Sequence, residues 1–236
     1  MAAAEQSVDR AAVLASLRAR VARLERGAAP EAGGIALCEA IDLHLPGGGL
    51  ARAALHEVLA ADPGAAAGFC ALVLARAAGP VLWISPVPDA WPPGLAAFGL
   101  DPADLVLVRA DRPADGLWAF EEALRCPAVA GALLVLRGTP PDMVAARRLQ
   151  LAAEAGGGIG LMLLPDTTLM LPSPARSRWR VGAVAAEERK HLCWQLTLLR
   201  CAGSRGGAWS VTWHRDRAML ETATRPALAR QASSLS

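Results

Sequence analysis

The sequence predicts an α/β protein: a mostly parallel sheet flanked by helices, with a C-terminal antiparallel extension and an N-terminal helical arm. Three observations support this class. Short apolar runs alternate with helical stretches through the middle of the chain. After residue 164 the pattern becomes that of strands with alternating apolar and polar residues. Before residue 31 a helical pattern stands alone, ended by Gly27 and Pro30.

The composition sets bounds on the kind of protein. A chain of 236 residues with 53% hydrophobic residues can bury a sizeable core as one domain plus an arm. A net charge of +2 is too small to attract nucleic acids or anionic membranes strongly. The apolar runs are too short to span a bilayer, and the N-terminus lacks the apolar centre of a signal peptide. Five scattered cysteines are typical of reduced thiols, so we expect a cytoplasmic protein without a membrane partner.

The predicted arm, residues 1–30, carries a narrow apolar stripe. Leu14, Leu17, Val21 and Leu24 recur at spacings of three, four and three, as in a short coiled-coil seam. Two interpretations stay open. In the first, the helix packs on its own domain. In the second, it docks on a partner protein, or on a neighbouring subunit to form a homo-oligomer.

The predicted core spans residues 31–214. Its first five strands are expected at 55–59, 81–84, 105–108, 129–136 and 159–164. Helices are expected at 65–78, 113–125 and 141–154. Because these strands are short continuous apolar runs, we expect them to be buried on both faces of a parallel sheet. The proline-rich segment 85–102 is expected to be an extended loop.

The first strand, turn and helix are the unit that carries a phosphate-binding loop in P-loop ATPases. Such loops need a lysine for the phosphates and a Ser or Thr hydroxyl for magnesium. Here Asp62-Pro63-Gly64 forms the turn, and Ala65, Ala66 and Ala67 occupy the following positions. Lys190 is the only lysine in the sequence. The scaffold is present, and the groups that bind nucleotide are missing.

The C-terminal part of the core is predicted to be antiparallel. Strands are expected at 179–184, 193–201 and 208–214, and the last two read as a β-hairpin. Two sets of alternating residues would each share a face: Trp194, Leu196 and Leu198, and Trp209, Val211 and Trp213. We interpret these faces as core and not as a base-stacking platform. Residues 215–236 are predicted to be a polar, flexible tail.

Three arginines are candidate DNA contacts. In an extended chain, Arg176, Arg178 and Arg180 alternate and would lie on one side, where they could bind the phosphates of single-stranded DNA weakly. The alternative is a solvated strand edge.

Other chemistry finds little support in the sequence. His191, Cys193, Cys201 and His214 do not have a familiar zinc-ligand spacing. Ser85 and Ser173 lack the context of a nucleophile elbow. We therefore predict no catalytic residue, no metal and no cofactor.

Several short sequence segments resemble the RecA ATPase core over about residues 35–214. They are LHEV at 55–58, after the glycine run at 47–49, and GLDPADLVLVR at 99–109. Others resemble the ImuA family of damage-inducible mutagenesis proteins within the RecA relatives. These are PVLWI at 80–84, WAFEEALRCP at 118–127, RRLQLAAEA at 147–155, LRC at 199–201 and RGGAW at 205–209.

Three sites depart from the RecA ATPase pattern. Ala65–Ala67 fill the phosphate loop, and Leu136 stands where a Walker-type aspartate would hold magnesium. Ser85-Pro86 follows the second strand, where RecA carries the glutamate that orients water. With all three groups missing, we expect neither hydrolysis nor tight binding of nucleotide.

The resemblance implies a non-catalytic accessory protein in SOS-induced translesion mutagenesis, acting by protein–protein interaction. Its implied partners are an ImuB-like protein, an error-prone C-family polymerase and RecA. A second hypothesis is a RecA-like, nucleotide-dependent DNA-binding ATPase with an atypical P-loop. A third is a DNA-binding module that acts through the three arginines.

Overall fold

The computed structural model describes residues 33–87, 89–167, 172–185 and 192–223. The predicted arm, with Leu14, Leu17, Val21 and Leu24, lies outside the described residues, as does the chain after residue 223.

Helices and strands alternate through the core. The helices are α1 (Glu39–Asp42), α2 (Pro63–Ala77), α3 (Pro92–Ala96), α4 (Pro113–Arg125) and α5 (Met143–Gly156). The parallel strands are β1 (Ala54–Ala60), β2 (Val81–Ser85), β3 (Leu105–Arg109), β4 (Gly131–Val135), β5 (Ile159–Pro165) and β6 (Ser177–Val184). The antiparallel strands are β7 (Leu192–Cys201), β8 (Gly207–His214) and β9 (Met219–Thr222).

The described residues form one nine-stranded sheet in the order β3-β2-β4-β5-β1-β6-β7-β8-β9. The first six strands in this order pair in parallel, and β6 to β9 continue the sheet in antiparallel pairs. The predicted α/β class with a C-terminal antiparallel extension is confirmed. The hairpin of β7 and β8 is confirmed by its register, in which Trp194 lies opposite Val211.

Every predicted strand and helix of the core is present with ends within two residues of the prediction. Three details of the prediction are wrong. The segment 85–102 is not wholly extended, because it contains α3. The sheet continues past residue 214 through β9. Strand β3 is not buried on both faces, because it is the edge of the sheet.

Two apolar cores lie on the two faces of the sheet. Helix α2 packs on one face, in a core that also contains Trp83, Leu133 and Trp179. Helices α4 and α5 pack on the other face through residues such as Phe120 and Leu149. This double cover explains why the central strands read as continuous apolar runs.

The sheet curls around α2. Phe98, which follows α3 near one edge of the sheet, stacks on Trp194 and Trp213 of β7 and β8, with ring centroids 5.6 and 6.0 Å apart. The indole N–H of Trp213 donates to the carbonyl of Ala97 at 3.1 Å. Elements from both halves of the sheet therefore enclose α2, and a Cβ on Gly68 would lie 2.7 Å from Phe98. The tryptophan faces of the hairpin are core, as predicted.

Candidate functional site

The connection between β1 and α2 is two residues long, Ala61 and Asp62. Asp62 caps the helix, and its Oδ1 accepts a hydrogen bond from the backbone N–H of Ala65 at 2.7 Å. Pro63 at the first helical position has no N–H to offer. A phosphate-binding loop needs several free N–H groups between the strand and the helix, and this connection is too short to supply them.

Three further backbone donors near this helix end have partners within the protein. The N–H groups of Ala61 and Asp62 both donate to the carbonyl of Val181, and that of Ala66 donates to the carbonyl of Asp62. The Asp62 carboxylate stands at the positive end of the helix, where it stabilises the helix and repels a phosphate. This role for Asp62 was missed from the sequence, although an Asp before a Pro-Gly pair at a helix start is a recognisable cap signal.

Leu136 and Ser85 stand at the two other positions of the RecA ATPase pattern, those of the magnesium-binding aspartate and the water-orienting glutamate. Leu136, one residue after β4, is buried and donates its N–H to the carbonyl of Leu163. Ser85 at the end of β2 is buried, and its hydroxyl oxygen accepts from the N–H of Val87 at 3.4 Å. Asp142, the next acidic residue after Leu136, caps α5 by accepting from the N–H of Ala145 at 2.7 Å. Leu136 and Ser85 carry no carboxylate, and the carboxylate of Asp142 is bonded at the start of its own helix.

A small cavity of about 250 Å³ lies at the carboxyl ends of β2 and β4, beside the first turn of α4. Its walls are mostly apolar, and two arginines on its lining are already paired. Arg112 binds Asp115, with contacts of 2.7 and 2.8 Å, and Arg137 lies 3.6 Å from Asp89. The volume is below the usual range for small-molecule sites, so the cavity gives no support for a nucleotide site.

The three candidate DNA contacts do not share one exposed surface. Arg178 is buried, and its Nε donates to Oε2 of buried Glu57 at 2.5 Å, which joins β6 to β1. Arg180 is exposed and forms a two-pronged pair with Asp166, at 2.7 and 2.6 Å. Arg176 is exposed just before β6 begins. The prediction of a common arginine face is therefore wrong for Arg178, which has a structural partner.

A buried histidine lies beside this ion pair. His56 on β1 donates from Nε2 to the carbonyl of Ala51 at 2.9 Å, and its Nδ1 accepts from the hydroxyl of Ser177 at 2.7 Å. The Ser177 oxygen in turn accepts from the indole N–H of Trp179 at 2.9 Å. Burial lowers the pKa of His56 to about 4. The group is a closed structural network with no exposed nucleophile.

The residues considered for zinc do not form a site in the described part of the chain. Cys193 and Cys201 stand at opposite ends of β7. The Cys193 sulfur contacts the Thr212 hydroxyl at 3.5 Å, and His214 Nε2 lies 3.2 Å from Glu221. His191 is outside the described residues.

An exposed surface combines apolar and charged groups on α4 and α5. Glu121 on α4 is buried and binds Arg148 of α5 and Arg125 of its own helix, which lowers the pKa of its carboxyl group. Trp118, 66% exposed, lies one turn before Glu121. On α5, Val144 and Leu151 flank Arg148 at helical spacing and are also exposed. We call these four residues, Trp118, Val144, Arg148 and Leu151, the α4–α5 surface.

The mostly parallel sheet with helices on both faces defines a protein with a RecA-like fold. The crystal structure of the RadB recombinase matches this chain with a TM-score of 0.59 at 11% sequence identity, covering 78% of this chain and 97% of RadB. At that identity the match shows the fold alone.

The chain belongs to the ImuA family. It is 35% identical over 193 residues to Protein ImuA of Caulobacter vibrioides, in strain NA1000 / CB15N and in strain ATCC 19089 / CIP 103742 / CB 15. The match covers 72% of this chain and 78% of each relative. The resemblance drawn from the sequence is thus confirmed. No protein-family model matches the chain. Within the described ranges, no helix is long and apolar enough to cross a membrane.

Proposed function

We propose that this chain is a non-catalytic accessory protein in DNA-damage-induced translesion mutagenesis and that it acts by binding other proteins. The observation that carries the proposal is the Asp62 cap. A carboxylate bonded to Ala65 N–H occupies the helix end that a RecA-like ATPase uses for phosphate. Membership of the ImuA family supports the biological setting.

The partners in this proposal are an ImuB-like protein, an error-prone C-family polymerase and RecA. The α4–α5 surface supports binding by contact between proteins, because exposed Trp and Arg side chains are enriched at the energetic centres of interfaces. Exposed Trp91 on the loop before α3 differs, because it lies against its own helix at Gly94, where a Cβ would be 2.8 Å from the ring.

The nucleotide part of the proposal is tested by thermal unfolding of the full chain with and without millimolar Mg-ATP. A ligand that binds the folded state raises its stability with the logarithm of its concentration over Kd. We expect no change in Tm. A reproducible, magnesium-dependent rise of several degrees would overturn the non-catalytic assignment.

The interaction part is tested with purified components. The chain, an ImuB-like protein from the same cells and RecA are mixed in pairs and analysed by light scattering after size exclusion. We expect stable complexes, weakened at least about tenfold by Trp118→Ala and unchanged by the matched variant Trp91→Ala. If none of the pairs forms a complex, the proposal of an accessory binding protein is wrong. If both variants bind like the native chain, the α4–α5 surface is not the contact.

A further inference from the structure

Among the described residues, strand β3 is an apolar edge of the sheet that no other element covers. It is the last strand on one side of the sheet, and Val106 and Leu107, on opposite faces, are 51% and 50% exposed. The opposite edge, β9, is only four residues long and includes Glu221 and Thr222. Proteins usually protect edge strands with charge, proline or short length, because an open edge pairs with other strands. The charge-free centre of β3 therefore indicates a strand partner.

The hydrogen bonds at the two ends of β3 show which backbone groups face outward. The carbonyl of Asp104 accepts from Val81 N–H, and the N–H of Ala110 donates to the carbonyl of Ser85. Residues with even numbers therefore turn their backbone groups toward β2. By alternation, Leu105, Leu107 and Arg109 turn theirs away from the sheet.

We propose that β3 pairs with β3 of a second copy in antiparallel orientation, with Leu107 opposite Leu107 on a two-fold axis. In this register the outward residues Leu105, Leu107 and Arg109 meet Arg109, Leu107 and Leu105 of the second copy, so donors and acceptors match. Val106 faces Val108 of the other copy on one side of the sheet, and the Leu107 side chains meet on the other. Both exposed side chains become covered by branched apolar neighbours.

Charge at the strand ends supports an antiparallel second copy. Asp101 and Asp104 precede β3, and Arg109 ends it. Antiparallel pairing brings the acidic end of one copy to the basic end of the other, whereas parallel pairing would join like charges. Arg109 also forms an ion pair with Asp111 of its own chain. Because both side chains are largely exposed, this pair contributes little to stability and does not prevent Arg109 from contacting the second copy.

This self-association goes beyond the proposed accessory role and does not depend on it. An isologous pair of edges is closed, so it produces a dimer and not a filament. It also joins two nine-stranded sheets into one continuous sheet, with the two α4–α5 surfaces on the same side.

The test is the molar mass of the full chain by light scattering across a concentration series. The native chain should reach about twice its 24.5 kDa monomer mass. Leu107→Lys should keep the monomer mass at concentrations at least about tenfold higher, because a charge at the pair centre opposes pairing. The matched variant Leu43→Lys places the same charge at an 80% exposed leucine just after α1 and should dimerise like the native chain.

Two further variants separate strand pairing from other contacts. Leu107→Pro removes only an outward N–H and should also give a monomer, with a near-native circular dichroism spectrum. Leu17→Asp with Val21→Asp disrupts the predicted arm stripe and should leave the dimer intact. A native chain that stays monomeric overturns the proposal. So does a dimer that survives both Leu107 variants, or one that is lost only with the arm variant.

Discussion

Asp62 places a fixed negative charge at the amino end of α2, where related folds place a bound phosphate. The same arrangement occurs at α5, whose cap Asp142 also accepts from a backbone N–H at 2.7 Å. The two caps differ in their surroundings, because α2 is enclosed by the sheet whereas α5 packs on the opposite face of the sheet. The two caps are therefore a matched pair for measuring what Asp62 contributes.

We expect Asp62→Ala to lower the free energy of unfolding by about 1–2 kcal/mol, because it leaves the N–H of Ala65 without its acceptor near a buried helix. Asp142→Ala at the exposed cap should cost about 0.5–1 kcal/mol. Urea unfolding measures both. Equal losses at the two positions would show that enclosure of α2 adds nothing to the cap.

His56 makes stability depend on pH. Its folded-state pKa is lowered to about 4 by burial, against 6.5 for an ordinary histidine. Below pH 6.5 the unfolded chain takes up a proton that the folded chain does not, so stability falls as the pH drops and this loss levels off near pH 4. Between pH 7 and pH 5 we expect about 2 kcal/mol of loss from this group. Denaturant titrations of the native chain and His56→Asn should differ in this pH dependence; parallel curves would contradict it.

At the residue scale, the sequence itself shows that the lysine, aspartate and glutamate of the RecA ATPase pattern are replaced by other residues. The burial of His56 against Ser177 could not be predicted, because the two residues are 121 positions apart and meet only through the β1–β6 register.

At the scale of elements, β6 shows the limit of reading alternation from sequence. Alternation assigns Arg178 to the same side as Arg176 and Arg180, but it does not say that this part of the strand is covered. The structure pairs Arg178 with Glu57, its register partner on β1. The runs that became β1, β2, β4 and β5 were predictable because strands buried on both faces are apolar throughout.

The three arginines should therefore behave differently on substitution. If the chain binds single-stranded DNA, Arg176→Ala with Arg180→Ala should reduce the slope of log affinity against log salt by about 0.7 per lost phosphate contact. Arg178→Ala should instead destabilise the fold by about 3–5 kcal/mol, because it leaves the Glu57 carboxylate buried without its partner. Fluorescence anisotropy and thermal melts measure the two effects. A stable Arg178→Ala variant with a reduced salt slope would reverse this assignment.

At the scale of the whole molecule, the main feature is the closure of the sheet around α2. The contact of Phe98 with Trp194 and Trp213 links elements near opposite edges of the sheet. The alternation of apolar and polar residues predicted the buried tryptophan faces. It could not predict this contact, because nothing local in the sequence reports the curvature of a sheet.

Two glycines in α2 provide a test of the closure. Gly64→Ala, where a Cβ meets only an Asp62 oxygen at 3.4 Å, should gain up to about 1 kcal/mol from helix propensity. Gly68→Ala should instead lose about 1–3 kcal/mol, because its Cβ would lie 2.7 Å from Phe98 and 3.0 Å from Trp194. Combining Gly68→Ala with Phe98→Ala should recover part of that loss in a double-variant cycle. If the losses in the free energy of unfolding are additive, residues 68 and 98 are not coupled, and Phe98 does not help to enclose α2.

The same closure has a consequence for synthesis on the ribosome. Strand β1 is made early, yet both of its neighbours, β5 and β6, come from the second half of the chain. The bond from Trp213 to Ala97 spans 116 positions, so α2 cannot be enclosed until β8 has left the exit tunnel. A nascent chain halted before that point would expose the apolar surface of α2, and one halted before β5 would also leave both edges of β1 unpaired. We expect such chains to need chaperones, and truncation before residue 214 to leave an aggregating product and not a smaller folded domain.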